Sequence, residues 1–188
     1  SYVGEFDPDW AYSSFDQYLR DRKQADVDVR MVSDEEGRIF NATTDWTFGV
    51  YYKDYSEKMT RNYTYLDGIP FISNYDTENT AIYGQFDTHF TDKLTMVAGL
   101  RVEKWDAKYS DSENETIDTD EVLIGGKLGL NYQATADQLY YVTLSKGYKP
   151  GGVNADYRLT ADAKQYETEN LWNLDAGLNS SHSDNKVK

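Results

Sequence analysis

The sequence predicts an all-β chain, an antiparallel up-and-down meander of two-faced strands with the architecture of a transmembrane β-barrel. Three observations predict it. Seven segments alternate apolar and polar residues with period two, the mark of strands with unlike faces. Short and long connections alternate between those segments, and aromatic residues gather at both ends of the apolar faces. Composition agrees, since 17 Tyr and 13 Gly against 3 Pro suit strands better than helices. Mean hydropathy is −0.78, and no stretch approaches the roughly 20 apolar residues of a membrane-spanning helix. A barrel strand meets lipid only at every second residue, so its hydropathy averages out.

The first strand, near 25–33, sets Val27, Val29 and Met31 against Asp26, Asp28 and Arg30. The second, near 44–53, sets Trp46, Phe48, Val50 and Tyr52 against Thr47, Gly49, Tyr51 and Lys53. The third, near 80–90, sets Ile82, Gly84, Phe86 and Phe90 against Tyr83, Gln85, Asp87 and His89. In the fourth, near 94–105, Leu94, Met96, Ala98, Leu100 and Val102 oppose Thr95, Gly99, Arg101 and Glu103. The fifth, near 122–132, opposes Ile124, Leu128, Leu130 and Tyr132 to Lys127, Gly129 and Asn131. The sixth, near 138–148, opposes Tyr140, Val142 and Leu144 to Tyr141, Thr143 and Ser145. The seventh, near 170–179, opposes Trp172, Leu174, Ala176 and Leu178 to Asn173, Asp175 and Asn179. These runs match the about 9–11 residues with which a tilted strand crosses a bilayer.

Tight turns fall at Thr91–Lys93 and Gln133–Asp137, and a longer one at Ser33–Thr43. Between them lie polar stretches read as long loops: Asp54–Asn79, Asp106–Glu121 and Lys149–Glu169. Outer-membrane barrels have this layout, with short periplasmic turns and long extracellular loops. Trp46, Phe90, Tyr132 and Tyr140 stand on the apolar faces beside the short connections, while Tyr52, Tyr148 and Trp172 stand there beside the long ones. That is a double aromatic girdle; the plainer reading is that aromatic residues favour strands anywhere.

A formal charge of −14 argues against nucleic acid, whose phosphates call for clustered Lys and Arg. With no cysteine there is neither a disulfide nor a thiolate metal site. The sequence starts at Ser1 with no initiator Met and no apolar leader, so a section cut from a longer protein is expected.

The run Thr143–Asn154 (TLSKGYKPGGVN) closely resembles the SxGYKPGGxN stretch of TonB-dependent outer-membrane receptors. Glu167–Leu178 (ETENLWNLDAGL) is similar to the Pro-Glu-Thr strand of that family, with Tyr166 where Pro is usual and Asn179 where Lys is usual. Thr95–Val102 (TMVAGLRV), Val27–Arg30 and Asp45–Tyr52 resemble its Gly-Leu-Arg and Gly-Leu-Tyr strands, in the family's order. The resemblance covers the middle of a barrel of about 22 strands, and the family's plug domain, TonB box and closing strand have no counterpart in these residues. It implies a bacterial outer-membrane location among lipid, coupling to TonB through the missing plug, and uptake of a small nutrient such as a ferric siderophore, vitamin, haem or oligosaccharide.

Catalysis has little to work with: His89 and His182 are the two histidines, and no Ser-His-Asp spacing or phosphate loop is present. Neither an enzyme nor a resident cofactor is expected. The acidic run Ser110–Glu121 offers oxygen ligands for Ca²⁺ but lacks the EF-hand spacing and glycine, and reads better as a solvated loop. Candidate ligand contacts are the loop aromatics and charge Tyr63, Tyr65, Tyr148, Tyr157, Arg158 and Tyr166, which suit stacking and cation–π contacts; the same residues also suit loop-to-loop packing. Arg101, Glu103 and Lys127 face the lumen, there to meet a plug or to pair with one another. The Asn-x-Ser/Thr sites at Asn41, Asn62, Asn114 and Asn179 carry no weight in a bacterial barrel. Two rivals share parts of this pattern: a passive porin-like barrel, and a soluble β-sandwich module binding carbohydrate through Tyr and Trp.

Overall fold

The computed structural model describes residues 15–64, 68–154 and 159–181, without the side chains of 161 and 162. They form strands β1 (Asp16–Val32), β2 (Thr44–Tyr63), β3 (Phe71–Thr91), β4 (Leu94–Asp111), β5 (Thr116–Thr135) and β6 (Gln138–Lys149). A two-residue strand β7 (Gly152–Val153), a single helical turn α1 (Ala161–Lys164) and β8 (Gln165–Tyr166) precede β9 (Glu169–Ser180). The sheet runs β1-β2-β3-β4-β5-β6-β9, each strand antiparallel to its neighbour, while β7 and β8 pair apart from it.

One face of this sheet is exposed and apolar. Val27, Val29, Phe48, Val50, Ile82, Phe86, Leu100, Ile124, Leu128, Leu130, Val142, Leu144, Leu174 and Leu178 are all open on it. The described residues place no second sheet against it, as a sandwich would require. Such an area left in water is unfavourable, and lipid is its natural cover.

The strands are longer than period-two hydrophobicity predicts. Most of the stretches expected as loops at 54–79 and 106–121 continue β2, β3, β4 and β5, with residues 112–115 alone joining β4 to β5. The reason is physical. Past Tyr52 and Val102 the outer face carries Asp54, Lys58, Asp76, Glu78, Lys104, Asp106, Lys108, Asp118 and Asp120, so the outer face turns polar, the apolar side chains shift to the inner face, and the alternation of the lower half does not continue in phase while the ladder goes on. The outer face changes from apolar to charged at one register level, with Asp54 opposite Glu78, Glu78 opposite Asp106 and Asp106 opposite Asp120.

The core lies on the other face, in this same extended half. Trp105, Ala107 and Leu123 pack together with Tyr75 and Tyr148 against them, and Met59, Phe71, Tyr109 and Ile117 are also buried. Lower down, glycines on this face lie under tyrosines of the next strand. Gly49 opposes Tyr83 and Gly177 opposes Tyr141; a Cβ added to either glycine would fall 2.3 Å or 2.6 Å from the phenol, so a side chain there would have to displace the tyrosine.

Candidate functional site

The polar face gathers side chains that sequence spacing leaves scattered. Glu103, 6% exposed, accepts hydrogen bonds from Arg101 Nε (2.9 Å) and Nη2 (2.7 Å), Asn79 Nδ2 (2.5 Å) and the Tyr148 hydroxyl (2.9 Å). A carboxylate this enclosed is tolerable because its lone pairs are occupied and an opposite charge sits against it. The Arg101 guanidinium lies 4.9 Å from the centre of the Tyr51 ring and 5.9 Å from that of Tyr83, within cation–π range.

Tyr148 departs from the expected girdle. The β5–β6 ladder ends at Gly126–Lys146, while β6 stays paired with β9 to Lys149. Past that point Gly147 faces open space, and the Tyr148 ring comes over Gly125 on the polar face. The alternation slips by one residue where the strand leaves one neighbour, and the phenol reaches Arg101 and Glu103 instead of the bilayer interface.

Two hollows open on this face. The lower, about 600 Å³, is bordered by Tyr51, Lys53, Tyr55, Thr77, Arg101 and Pro150. The upper, about 410 Å³, is bordered by Tyr18, Arg20, Glu57, Arg61, Phe71 and Asn154. Tyr75 borders both. Its phenol is pushed up to about 12 by burial and by the neighbouring Tyr166 and Tyr55, and so stays protonated. In the upper hollow Glu57 accepts from Arg20 (3.1 Å), from Arg22 and from the Tyr55 hydroxyl (3.0 Å). Burial pushes that carboxyl up, but the bonds from Arg22 and Tyr55 and the charge of Arg20 outweigh it, so Glu57 titrates below its ordinary range. Arg61 holds Asp16 through two bonds of 2.8 Å and lies 5.1 Å and 4.8 Å from the ring centres of Tyr18 and Tyr63.

The connection from β6 to β9 folds onto this face. Gly151 N–H donates to the Thr168 hydroxyl (3.1 Å), which in turn donates to Glu121. Asn154 N–H donates to the Lys164 carbonyl (2.7 Å), and Lys164 Nζ reaches Asp111 Oδ2 (3.2 Å), both side chains being at most 1% exposed. Asp111 accepts further bonds from the Tyr109 hydroxyl (2.8 Å) and the backbone N–H groups of Glu113 (2.9 Å) and Glu115 (3.2 Å). The acidic run is thus strand and turn, with Asp111 committed to Lys164 and to its own turn. Among the described residues no group of three or more His, Asp or Glu is placed to hold a metal ion.

Of the candidate ligand contacts, Tyr148 enters the Glu103 network at the lower hollow. Tyr166 lies across Gly152 and near Tyr75. Tyr63 stands apart at the rim, under Arg61. Tyr65, Tyr157 and Arg158 lie outside the described residues, as does His182. Sequence reasoning missed Tyr18, Arg20, Glu57, Arg61, Tyr75 and Trp105. The available signal was the alternation of Trp105, Ala107 and Tyr109 with Lys104, Asp106 and Lys108, opposite in phase to the apolar band below it. At the opposite end of the face His89 bonds Asp45 (2.8 Å) and Thr95 (3.0 Å), and Arg38 bonds the same Asp45 (2.8 Å), a polar tie across β2, β3 and β4.

The chain matches, over residues 1–187, the family described as TonB dependent receptor-like, beta-barrel. Pesticin receptors of Yersinia enterocolitica and Yersinia pestis are 30% identical to it over 147 residues, which is 72% of this chain and 21% of each relative. The ferric yersiniabactin uptake receptor from Yersinia pestis superposes with a TM-score of 0.77 at 23% identity, covering 92% of this chain and 28% of that one. The alcaligin outer-membrane receptor from Bordetella pertussis gives 0.65 at 13%, over 92% and 28% of the two chains. The ferric preacinetobactin receptor from Acinetobacter baumannii gives 0.61 at 15%, over 88% and 27%. The chain therefore spans about a fifth of the length of the curated relatives it matches, and the solved structures establish its fold.

Proposed function

Because the chain belongs to the TonB-dependent receptor β-barrel family of the bacterial outer membrane, we propose that it forms one wall of an active-transport receptor for a ferric siderophore or a chemically similar nutrient. The family is one of transporters, not enzymes. In this reading the apolar face meets lipid and the polar face lines the lumen. The two hollows at its extracellular end hold part of the ligand site, with Tyr63, Tyr65, Tyr148, Tyr157, Arg158 and Tyr166 as contacts. A plug domain elsewhere in the receptor carries the link to TonB.

One observation carries the reading: the aromatic and cationic side chains of this face converge beyond the apolar band. Arg20, Arg61, Tyr18 and Tyr75 border the upper hollow and Tyr55 and Tyr75 the lower, spaces fit for a compact aromatic or anionic chelate. Cation–π and stacking contacts contribute about 0.5–2 kcal/mol each when desolvated, so several are needed for tight capture. Two relatives are named for ferric siderophores and others as pesticin receptors; the dimensions of these hollows favour a small chelate.

The test is uptake of iron-loaded yersiniabactin, preacinetobactin and alcaligin by cells producing the complete receptor, with and without TonB. Uptake of at least one, abolished when TonB is deleted, is expected. Uptake that persists without TonB would mean a passive barrel, and no uptake of any ferric chelate would set the substrate class aside.

A further inference from the structure

We propose that the apolar face carries one specific lipid site, a trough that takes a single acyl chain of a phospholipid from the periplasmic leaflet. The proposal rests on the reading that this face meets lipid, and it adds a resident partner at one place on it. Side chains project over most of the face. They do not at Gly84 of β3 and Ala98 of β4, diagonal neighbours across the ladder. There the surface sinks into a groove of about 760 Å³, within the size range of ligand sites. Met31, Phe48, Phe86 and Leu100 stand around it, with the Phe48 ring against Gly84. Thr47, Tyr83 and Gly99 alternate onto the other face and still border the groove, so its floor is the plane of the sheet itself.

Two features select the occupant. The first is position. One end of the groove lies at the β1–β2 turn, where Gly37 and Ile39 border it and Trp46 Nε1–H donates to the Gly37 carbonyl (3.0 Å). That turn is one of the short connections and so lies on the periplasmic side. The exposed Phe40 and the Trp46 indole mark the interface there. In a bacterial outer membrane the periplasmic leaflet is phospholipid, while the outer leaflet is lipopolysaccharide. The second feature is length. The row of Trp46, Phe86 and Ala98 and the row of Ile82 and Val102 stand four residues apart along the strands, about 14 Å at roughly 3.4 Å per residue. Together with the turn, the groove covers about one leaflet, half of a hydrocarbon core roughly 30 Å thick. An acyl chain on a flat barrel wall touches protein along one side. In the trough it touches floor and flanks, and dispersion contacts that are small singly add along the whole chain. This lipid therefore stays when the surrounding lipid exchanges.

The test uses the complete receptor, released from outer membranes in a mild detergent and weighed by native mass spectrometry while collisions strip its lipid. Wild type is expected to keep one phospholipid after the rest has gone. Ala98→Phe fills the trough with apolar atoms and should lose that lipid together with the bulk. Leu174→Phe, on the exposed face of β9 away from the groove, should keep it. Should Ala98→Phe prevent folding, read as loss of the heat-modifiable barrel band, Ala98→Leu carries the same test. Wild type that keeps no lipid, or equal retention by wild type and the Ala98 variants, overturns the site. Retained lipopolysaccharide overturns the leaflet and with it the occupant, and a doubled mass abolished by filling the trough would give the groove to a second copy of the chain. A receptor that stays dispersed without any amphiphile would instead contradict the lipid-facing reading, a result distinct from failure of the site.

Discussion

Glu103 shows how a single residue organises the polar face. Its carboxylate receives Arg101, Asn79 and Tyr148 from three strands and is almost fully covered. Replacing it with Ala strands a guanidinium that is itself 32% exposed at its side chain. Partial solvation of Arg101 brings the expected loss below the full cost of a broken buried pair, to about 2–3 kcal/mol by urea titration of the folded receptor in detergent. Tyr148→Phe removes one hydrogen bond and costs about 1 kcal/mol in the same titration. Asp111 makes a different prediction, in pH. Burial pushes its carboxyl up, but bonds from Tyr109, from Lys164 and from the N–H groups of Glu115 and Glu113 together bring it below the ordinary 3.8. A carboxyl more acidic when folded contributes stability at pH above its unfolded value, and that contribution is lost as pH falls through the folded one. The Lys164 contact should therefore hold from neutrality down to about pH 4 and fail only below it. Urea titration of the folded receptor in detergent across pH 3–8, with Asp111→Asn as the reference, checks this, and disappearance of the difference between the two near pH 6 would contradict it.

The strands as elements were legible where lipid makes them so. Leu94 to Val102 and Leu128 to Tyr132 alternate cleanly because one face must be apolar and the other need not be. Above the membrane that demand disappears, and β2 and β3 read as loops although they run on to Tyr63 and from Phe71. The turn of Tyr148 onto the polar face was not legible either, because it depends on where β6 parts from β5, a tertiary event with no local mark beyond Gly147. The candidate site suffered for the same reason, since Tyr18, Glu57 and Tyr75 meet only once the extended strands are in register. Two predictions belong at this scale. Gly49→Ala drives a methyl group into Tyr83 and should cost about 1–3 kcal/mol, with Tyr83→Ala in the same chain restoring part of the loss. Glu78 faces Asp54 on one side and Asp106 on the other, so Glu78→Gln should raise stability by about 0.2–1 kcal/mol at low salt, and by less at high salt.

At the scale of the whole molecule, one sheet carries two environments on each face. The outer face is apolar from Trp46 to Tyr52 and charged beyond; the inner face is glycine and tyrosine below, and a packed cluster with two hollows above. Only a barrel wall set in a bilayer makes all four sensible at once, because the apolar band then has lipid, the charged band has the aqueous side, and the hollows open toward the lumen. The most direct test is a nitroxide scan along β5, one cysteine at a time from Lys127 to Tyr132, in the complete receptor reconstituted into lipid bilayers. The account predicts high oxygen accessibility at 128, 130 and 132, and low values with access to a water-soluble nickel chelate, or burial, at 127, 129 and 131. Equal access of the nickel chelate to both sets would contradict it, since the apolar face would then stand in water.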